Sequence, residues 1–269
     1  MFNTIGFIGT GTMGAAVARA VVKGSPGASI LLSNRTPAKA EALAKDLGCQ
    51  ASDNETVART CSLIFLGVKP QMMAGMLESI APILAARSDR FVLASMAAGL
   101  DAQRIQAMAG GEYPVICFMP NTPVAVGAGV VQYYGLDATE EELDAFQALL
   151  SPAGLVDRIE PGQLNAASAV SGCGPAFCSL FIEALADGGV ACGLPRAKAL
   201  AYAAQMVEGT AKLMLEQHAH PGALKDGVCS PGGTTIQGIR VLEEQGFRAA
   251  AMKAVIAAYE KTLSFEKKD

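Results

Sequence analysis

Three glycines near the start of the chain constrain its fold most strongly. Gly9 ends a short apolar run at residues 4–9. Gly11 and Gly14 then precede a helical stretch at residues 15–23. In a first strand–turn–helix unit, such glycines allow a tight turn, close approach of a pyrophosphate and close helix–strand packing, and the helix N-terminus favours the anion. The pattern predicts a dinucleotide-binding unit, and the alternative is a structural turn in another doubly wound protein.

The first half of the chain alternates strand-like and helical segments. Strand-like runs follow at residues 29–34, 61–68, 91–96, 115–119, 129–134 and 155–159. Thr36 before Pro37 predicts a helix that ends at Gly48, and the capping box of Thr139 and Glu142 predicts another. Short, nearly continuous apolar strands separated by helices are typical of a parallel sheet covered on both faces. We therefore predict a doubly wound α/β domain over residues 1–160.

The second half of the chain is helical throughout. Helices are expected at residues 164–192, 196–218, 234–245 and 247–265. The first is apolar nearly all round between residues 164 and 182, and such a helix must be buried on every side. A domain of this size cannot bury it alone. We therefore predict that residues 161–269 form an all-helical domain covered by a second copy of the chain.

Composition narrows the class of partner. Hydrophobic residues make up 51% of the chain and charged residues 17%, with a net charge of −4 and no tryptophan. These values favour large buried surfaces and disfavour nucleic-acid binding. Seven cysteines without C-x-x-C spacing and only two histidines favour buried, reduced thiols in a cytosolic protein and no metal site.

Two charge-free stretches, residues 113–136 and 161–182, raise the question of a membrane span. Both contain prolines, glycines or polar residues and lack a sustained apolar composition, so we expect both to be buried in protein. The strand-like sequence begins at Thr4 without a basic segment before it, so no leader is expected. The expected location is the cytoplasm.

The end of the second strand bears on the choice of dinucleotide. An acid at this position would bind the ribose 2′-hydroxyl of NAD and repel a 2′-phosphate. The chain has Asn34, Arg35 and Thr36 there, which offer a cation, a hydroxyl and a helix N-terminus to a phosphate. NADP(H) is therefore preferred and NAD(H) is the alternative, as is a solvent-facing Arg35 without a role.

Further cofactor contacts are expected where later strands end, because ligands collect at the carboxyl ends of strands in open α/β sheets. For Lys69, the alternative is an ordinary surface lysine. The predicted cofactor residues are Ile8, Gly9, Thr10, Gly11, Thr12, Met13, Gly14, Asn34, Arg35, Thr36, Val68, Lys69, Pro70, Ala97 and Ala98.

Five motifs in order along the chain carry a family resemblance. They run over residues 65–71 (FLGVKPQ), 119–123 (MPNTP), 171–176 (SGCGPA), 220–226 (HPGALKD) and 229–239 (CSPGGTTIQGI). Together they resemble pyrroline-5-carboxylate reductases, from Ile5 to about Tyr259. The resemblance implies an NADP-binding Rossmann-type domain followed by an all-helical dimerisation and substrate domain. It also implies NAD(P)H-dependent reduction of 1-pyrroline-5-carboxylate to L-proline, the last step of proline biosynthesis, by a homodimer or a higher assembly of dimers.

The same resemblance implies roles for individual residues. Ser230, Gly232, Gly233 and Thr234 would hold the substrate carboxylate, and Thr235 would offer its hydroxyl to the ring nitrogen as the catalytic group. Glu160 would be an acid near the substrate, and Asn54 would touch the adenosine side of the cofactor. The backbone N–H groups of the turn at residues 230–233 and the N-terminus of the helix expected after it suit an anion. A plain helix-capping turn remains the other interpretation.

Two rivals and two departures accompany the resemblance. A reductase of another imine or of a β-hydroxyacid could share the architecture, but a β-hydroxyacid enzyme would want a lysine between residues 163 and 192, where none occurs. A non-catalytic NADP-sensing module is the second rival.

Cys117 stands where the family often has arginine, so a charge contact is expected to be absent there. Cys173 replaces a serine and is expected to be packed.

Overall fold

The computed structural model describes residues 2–266, in which eight strands form one sheet in the order β3-β2-β1-β4-β5-β6-β7-β8. The strands are β1 Thr4–Ile8, β2 Ser29–Ser33, β3 Gln50–Ala51, β4 Leu63–Leu66, β5 Val92–Ser95, β6 Val115–Pro120, β7 Gly129–Leu136 and β8 Gly154–Arg158. The helices are α1 Thr12–Gly24, α2 Pro37–Leu47, α3 Asn54–Thr60, α4 Pro70–Ala85, α5 Ala102–Ala109, α6 Glu140–Leu150, α7 Leu164–Ser171, α8 Gly174–Ala191, α9 Arg196–Gln217, α10 Pro221–Gly227, α11 Thr234–Glu244 and α12 Phe247–Glu266.

The predicted parallel sheet is confirmed for six of these strands. β1 to β6 run parallel, whereas β7 is antiparallel to β6 and β8 is parallel to β7. Only residues 121–128, with a short 3₁₀ turn at Thr122–Val126, join β6 to β7. A parallel connection needs a crossover of a dozen or more residues, so this short link forces the chain to turn back.

Apolar side chains pack on both faces of the sheet, as a doubly wound fold requires. On one face Phe7 and Phe65 stack with ring centroids 4.5 Å apart, and Phe65, Phe118 and Phe146 pack together beneath α1 and α6. The other face packs against α3, α4 and α5. The carboxyl ends of the parallel strands therefore lie along one edge of a sheet that is closed on both faces.

The chain divides into two compact units. The first comprises residues up to Cys173 together with those from Ala258 onwards, and the second comprises Gly174–Ala257. The sequence places the boundary near residue 160, but α7 packs against β6 and β7 and so groups with the sheet. The expected helix 164–192 is also interrupted at Gly172 and Cys173. Pro175 explains the interruption, because it lacks an N–H and its ring clashes with the carbonyl four residues earlier.

The second unit buries few of its own residues. Of residues 174–257, only Ala186, Ala199 and Ala203 are buried, while Leu180 is 67% exposed. The stretch Pro161–Ala191 is also the one segment within residues 2–266 that is long and apolar enough to cross a membrane by length and composition. The expected burial of residues 161–182 is therefore not found within the single chain, whereas most of residues 113–136 lie in the buried strands β6 and β7.

The cysteines follow the same division. Cys61 and Cys117 are buried in the first unit, while Cys178 and Cys192 are exposed in the second. The expectation of buried thiols is thus wrong for these last two within one chain, because the second unit packs little over α8 and the turn that follows it.

Candidate active site

The three glycines after β1 occupy the positions that the sequence predicts. Gly9 has a φ of +100°, and a Cβ there would lie 2.7 Å from the backbone of Gly67. A Cβ on Gly14 would lie 2.3 Å from the carbonyl oxygen of Gly9, so helix and turn pack too closely for a side chain. Around Gly11, no heavy atom of the described residues outside its chain neighbours lies within 4 Å of the Cβ position. The backbone of Gly11 is therefore open to a ligand at the start of α1.

Hydrogen bonds connect this glycine turn to the end of β2. The Asn34 side-chain amide donates to Thr10 Oγ1 at 3.1 Å, and Asn34 Oδ1 accepts from the Thr36 backbone N–H at 3.1 Å. Ser33 Oγ donates to Asn54 Oδ1 at 2.6 Å. The predicted residues Thr10, Asn34 and Thr36 thus form one hydrogen-bonded set, and the predicted Asn54 is held by the neighbouring Ser33.

A cavity of about 680 Å³ opens beside this group. Of the predicted cofactor residues, Ile8, Gly9, Asn34, Arg35, Asn54 and Val68 line it. The sequence interpretation missed the remaining lining residues, which are Ser33, Pro37, Ser52, Asp53, Glu55, Gln71, Met72, Gly75, Met76 and Ser79. Five of these form one face of α4, and the signal that could have found them is helical spacing directly after Pro70, which starts a helix where a buried strand has just ended.

The charged groups that line the cavity differ in how strongly they already interact with other protein groups. Asp53 caps α3, and its Oδ1 accepts the Thr56 backbone N–H at 2.7 Å. That backbone hydrogen bond holds the pKa of the Asp53 carboxyl below its usual range. The exposed Arg35 guanidinium has a weaker contact, with Nη1 4.0 Å from Met72 Sδ. The cation of this cavity is therefore available to a phosphate, while one of its carboxylates is occupied by a helix N-terminus.

The remaining predicted cofactor residues lie outside the cavity lining but at the same edge of the sheet. Lys69 and Pro70 follow β4 and start α4. Ala97 and Ala98 follow β5 and enter a turn in which the Leu100 backbone N–H donates to Ala97 O at 3.4 Å. Thr12 and Met13 form the first turn of α1, beside the open Gly11.

In the second unit, the predicted carboxylate-binding residues form one turn. The Gly233 N–H donates to Ser230 O at 3.0 Å, and Gly232 has a φ of +71° behind Pro231. This is a type II pattern, in which proline and then glycine take the two central positions. Gly233 is the N-cap of α11, and no side chain of the described residues caps that end.

The uncapped start of α11 bears on the two interpretations of this turn. A simple capping turn would have a Ser or Thr oxygen on the first N–H groups, which is not observed among residues 2–266. Those N–H groups and the exposed Thr234 and Thr235 are therefore available to an anion.

Glu160 and Cys117 have local partners. The Glu160 backbone N–H donates to Gln163 Oε1 at 3.4 Å, and its side chain accepts from the Gln163 backbone, so it caps the short turn Pro161–Gln163. Cys117 is 2% exposed, with Sγ 3.9 Å from Leu100 O. Burial raises the pKa of its thiol to about 12. The position at which the family often has arginine thus lies beneath the loop that follows β5.

Comparison with known proteins finds matches for both parts of the chain. Residues 161–264 match the family model of the pyrroline-5-carboxylate reductase dimerisation domain, and residues 4–99 match the model described as NADP oxidoreductase, coenzyme F420-dependent. The pyrroline-5-carboxylate reductase of Escherichia coli K12 is 40% identical over 99% of this chain and 100% of its own length. That of Pisum sativum is 40% identical over 95% of this chain and 93% of its own.

Solved structures show the same likeness. The Plasmodium falciparum pyrroline carboxylate reductase with NADP bound has a TM-score of 0.86 at 30% identity, and the match covers 98% of both chains. The pyrroline-5-carboxylate reductase of Coxiella burnetii has a TM-score of 0.90 at 28% identity over 99% of both chains. The chain therefore belongs to the pyrroline-5-carboxylate reductase family.

Proposed function

We propose that this protein reduces 1-pyrroline-5-carboxylate to L-proline with NADPH, the last step of proline biosynthesis. The observation that carries the proposal is the 40% identity, over nearly the whole chain, to enzymes named for this reaction. The two helix N-termini support it, because α1 and α11 both begin without a side-chain cap from residues 2–266. A dinucleotide pyrophosphate and a substrate carboxylate each need such a site.

The cofactor half of the proposal rests on the glycine turn and the cavity. The open backbone at Gly11 would receive the pyrophosphate, and Arg35 with Thr36 would receive the 2′-phosphate. When bound, NADPH supplies the hydride. The other proposed contacts are Ile8, Gly9, Thr10, Thr12, Met13, Gly14, Asn34, Asn54, Val68, Lys69, Pro70, Ala97 and Ala98.

NADPH is preferred over NADH because no acid stands at the end of β2. Asp53, the nearby carboxylate whose position could mimic one, accepts the Thr56 N–H instead. Arg35 would therefore attract a 2′-phosphate without a competing carboxylate partner in the described residues.

The substrate half of the proposal rests on the turn before α11. The N–H groups of its first turn would bind the carboxylate, framed by Ser230, Gly232, Gly233 and Thr234. Thr235 would accept the hydrogen of the protonated imine nitrogen in a hydrogen bond while the adjacent ring carbon takes up the hydride. The nitrogen then already carries the proton that the product amine needs, so no dedicated proton donor is required. Glu160 is proposed as an acid at the margin of this site.

We further propose that residues 1–160 form the NADP-binding domain and that residues 161–269 form the dimerisation and substrate domain of a cytoplasmic homodimer. The exposed apolar surface of α8 and α9 supports a second copy, and dimers could associate further. Light scattering in detergent-free buffer tests the assembly. A mass of twice the chain, or a multiple of it, is expected, and a monomer or a requirement for detergent would contradict it.

The activity is tested by mixing purified protein with NADPH and pyrroline-5-carboxylate and following the absorbance of NADPH. We expect consumption well above a blank without protein, together with formation of proline. In the reverse direction, a β-hydroxyacid offered with NADP should give no reduction of NADP to NADPH. NADPH binding without turnover of pyrroline-5-carboxylate would instead favour the sensing module.

A further inference from the structure

Two of the family motifs lie outside the proposed cofactor and substrate contacts, yet they meet in the structure. Asn121 belongs to the 119–123 motif and Ser171 to the 171–176 motif. The Asn121 side-chain amide donates to Ser171 O at 3.0 Å, and Asn121 Oδ1 accepts the Val130 backbone N–H at 2.9 Å. Asn121 is only 6% exposed, so both bonds are made away from bulk water.

The Ser171 carbonyl needs this donor because of a proline. In a continuous helix, the carbonyl of residue 171 would accept the N–H of residue 175. Residue 175 is Pro175, which has no N–H, and α7 accordingly ends at Ser171. The Asn121 amide, directly after β6, therefore supplies the hydrogen bond that the helix cannot provide.

Gln132 on β7 holds the same residue by its side chain. Gln132 Nε2 donates to Ser171 Oγ at 2.8 Å, and that hydroxyl lies 3.0 Å from its acceptor Ala167 O. Gln132 is 7% exposed. A buried amide from the β6–β7 link and one from β7 thus hold the carbonyl and the hydroxyl of Ser171, the last residue of α7, and a buried amide in such an arrangement is costly to remove.

We propose that Asn121 and Gln132 are positioning residues that lock the end of α7 to the sheet at the helix interruption. They thereby fix the last turn of α7, after which the chain continues into α8 at Gly174. This inference rests on the proposed function, which needs both the cofactor residues and the substrate residues. Neither amide belongs to the proposed cofactor or substrate contacts, so each acts through Ser171.

The first test compares Asn121→Ala and Gln132→Ala with Gln103→Ala, which removes an exposed amide from α5. We expect roughly a tenfold loss in kcat/KM for pyrroline-5-carboxylate in the first two, because a buried partner is left unsatisfied. The Kd of NADPH, measured by fluorescence titration, should stay within about twofold of wild type because the cavity is untouched. Equal losses in NADPH affinity and in kcat/KM would show general damage to the fold and overturn the proposal.

The second test restores the missing N–H. Pro175→Ala returns a donor to the helix, so Asn121→Ala should cost several-fold less kcat/KM in that background than in wild type. Ser171→Ala removes only the hydroxyl and should reproduce Gln132→Ala without adding to it, which keeps the test usable if Asn121→Ala fails to fold. If the losses in kcat/KM from Ser171→Ala and Gln132→Ala multiply in the double variant, the two residues act independently and the proposal is overturned. An inactive wild type would instead refute the proposed function, whereas an active wild type with unaffected variants would refute only this inference.

Discussion

The two units of this chain solve the burial of apolar surface in different ways. The first closes a sheet on both faces with its own helices and fully buries Phe65, Phe118 and Phe146. The second buries only three alanines of residues 174–257 and leaves Leu180 and Met252 largely exposed. Within a single chain, the first unit thus buries most of its large apolar side chains and the second does not. An exposed leucine in the second unit is therefore expected to contact a second copy of the chain, whereas one in the first unit is expected to remain in solvent.

The largest expected effect tests that difference directly. Leu180→Arg on α8 and Leu155→Arg on β8 both introduce a charge at a side chain that is exposed in the single chain, by 67% and 61%. If a second copy covers α8, burying an unpaired charge prevents assembly, so Leu180→Arg should be monomeric or aggregated and nearly inactive. Leu155→Arg should retain the wild-type mass and activity. Identical behaviour of the two variants, by light scattering and turnover, would erase the distinction between the units.

The next-largest effect tests the assignment of substrate contacts to the second unit and of cofactor contacts to the first. Thr235→Ala in the second unit should lower kcat/KM for pyrroline-5-carboxylate about a hundredfold, the size expected for one hydroxyl that contacts the reacting group. NADPH affinity should be unchanged, because the cavity belongs to the first unit. Thr210→Ala on α9, whose hydroxyl bonds only within its own helix, is the matched control. Unaltered turnover in Thr235→Ala would remove this residue from the mechanism.

Arg35→Ala is the counterpart in the first unit. We expect the KM of NADPH to rise about tenfold, since a charge-assisted contact to the 2′-phosphate is lost, while the KM of NADH barely changes. Lys45→Ala, at the exposed last turn of α2, controls for net charge. Steady-state kinetics with both nucleotides measure the ratio, and equal effects on NADPH and NADH would contradict the phosphate assignment.

The effect that is smallest at neutral pH concerns the core of the first unit alone. Burial raises the pKa of the Cys117 thiol from 9.0 to about 12. The folded state therefore holds this proton more tightly than the unfolded chain, so the contribution is complete below pH 9 and is lost as the pH rises towards 12. Denaturant unfolding should show wild type losing stability faster than Cys117→Val over this range, by up to about 1.4 kcal/mol per pH unit. Parallel curves for the two proteins would show that the buried thiol does not titrate in this way.

Much of the first unit could be predicted because its signals are local. Each buried strand is a short apolar run, and the glycine turn combines conformations that only glycine adopts at Gly9 with close packing at Gly14. The reversal at β7 was missed, although the short link over residues 121–128 excludes a parallel crossover. The face of α4 that lines the cavity was missed because the helical spacing after Pro70 was not used to ask which side of this helix borders the ligand.

The second unit was harder to predict. Its helices follow from composition, but the break before α8 depends on Pro175 and on an amide from Asn121 fifty residues earlier. Such long-range pairing leaves no periodic signal. The turn at Gly232 was predictable from its Pro-Gly pair. No sequence pattern shows that the start of α11 lacks a side-chain cap from residues 2–266, because Ser and Thr next to it could have supplied one.

The account's central claim is that this protein passes a hydride from NADPH to a cyclic imine. It is tested most directly with NADPH carrying deuterium at the transferable position and pyrroline-5-carboxylate as substrate. We predict proline with a single deuterium on the ring carbon that was double-bonded to nitrogen, formed in equal amount to the NADPH consumed. Unlabelled proline, or NADPH consumption without proline, would contradict it.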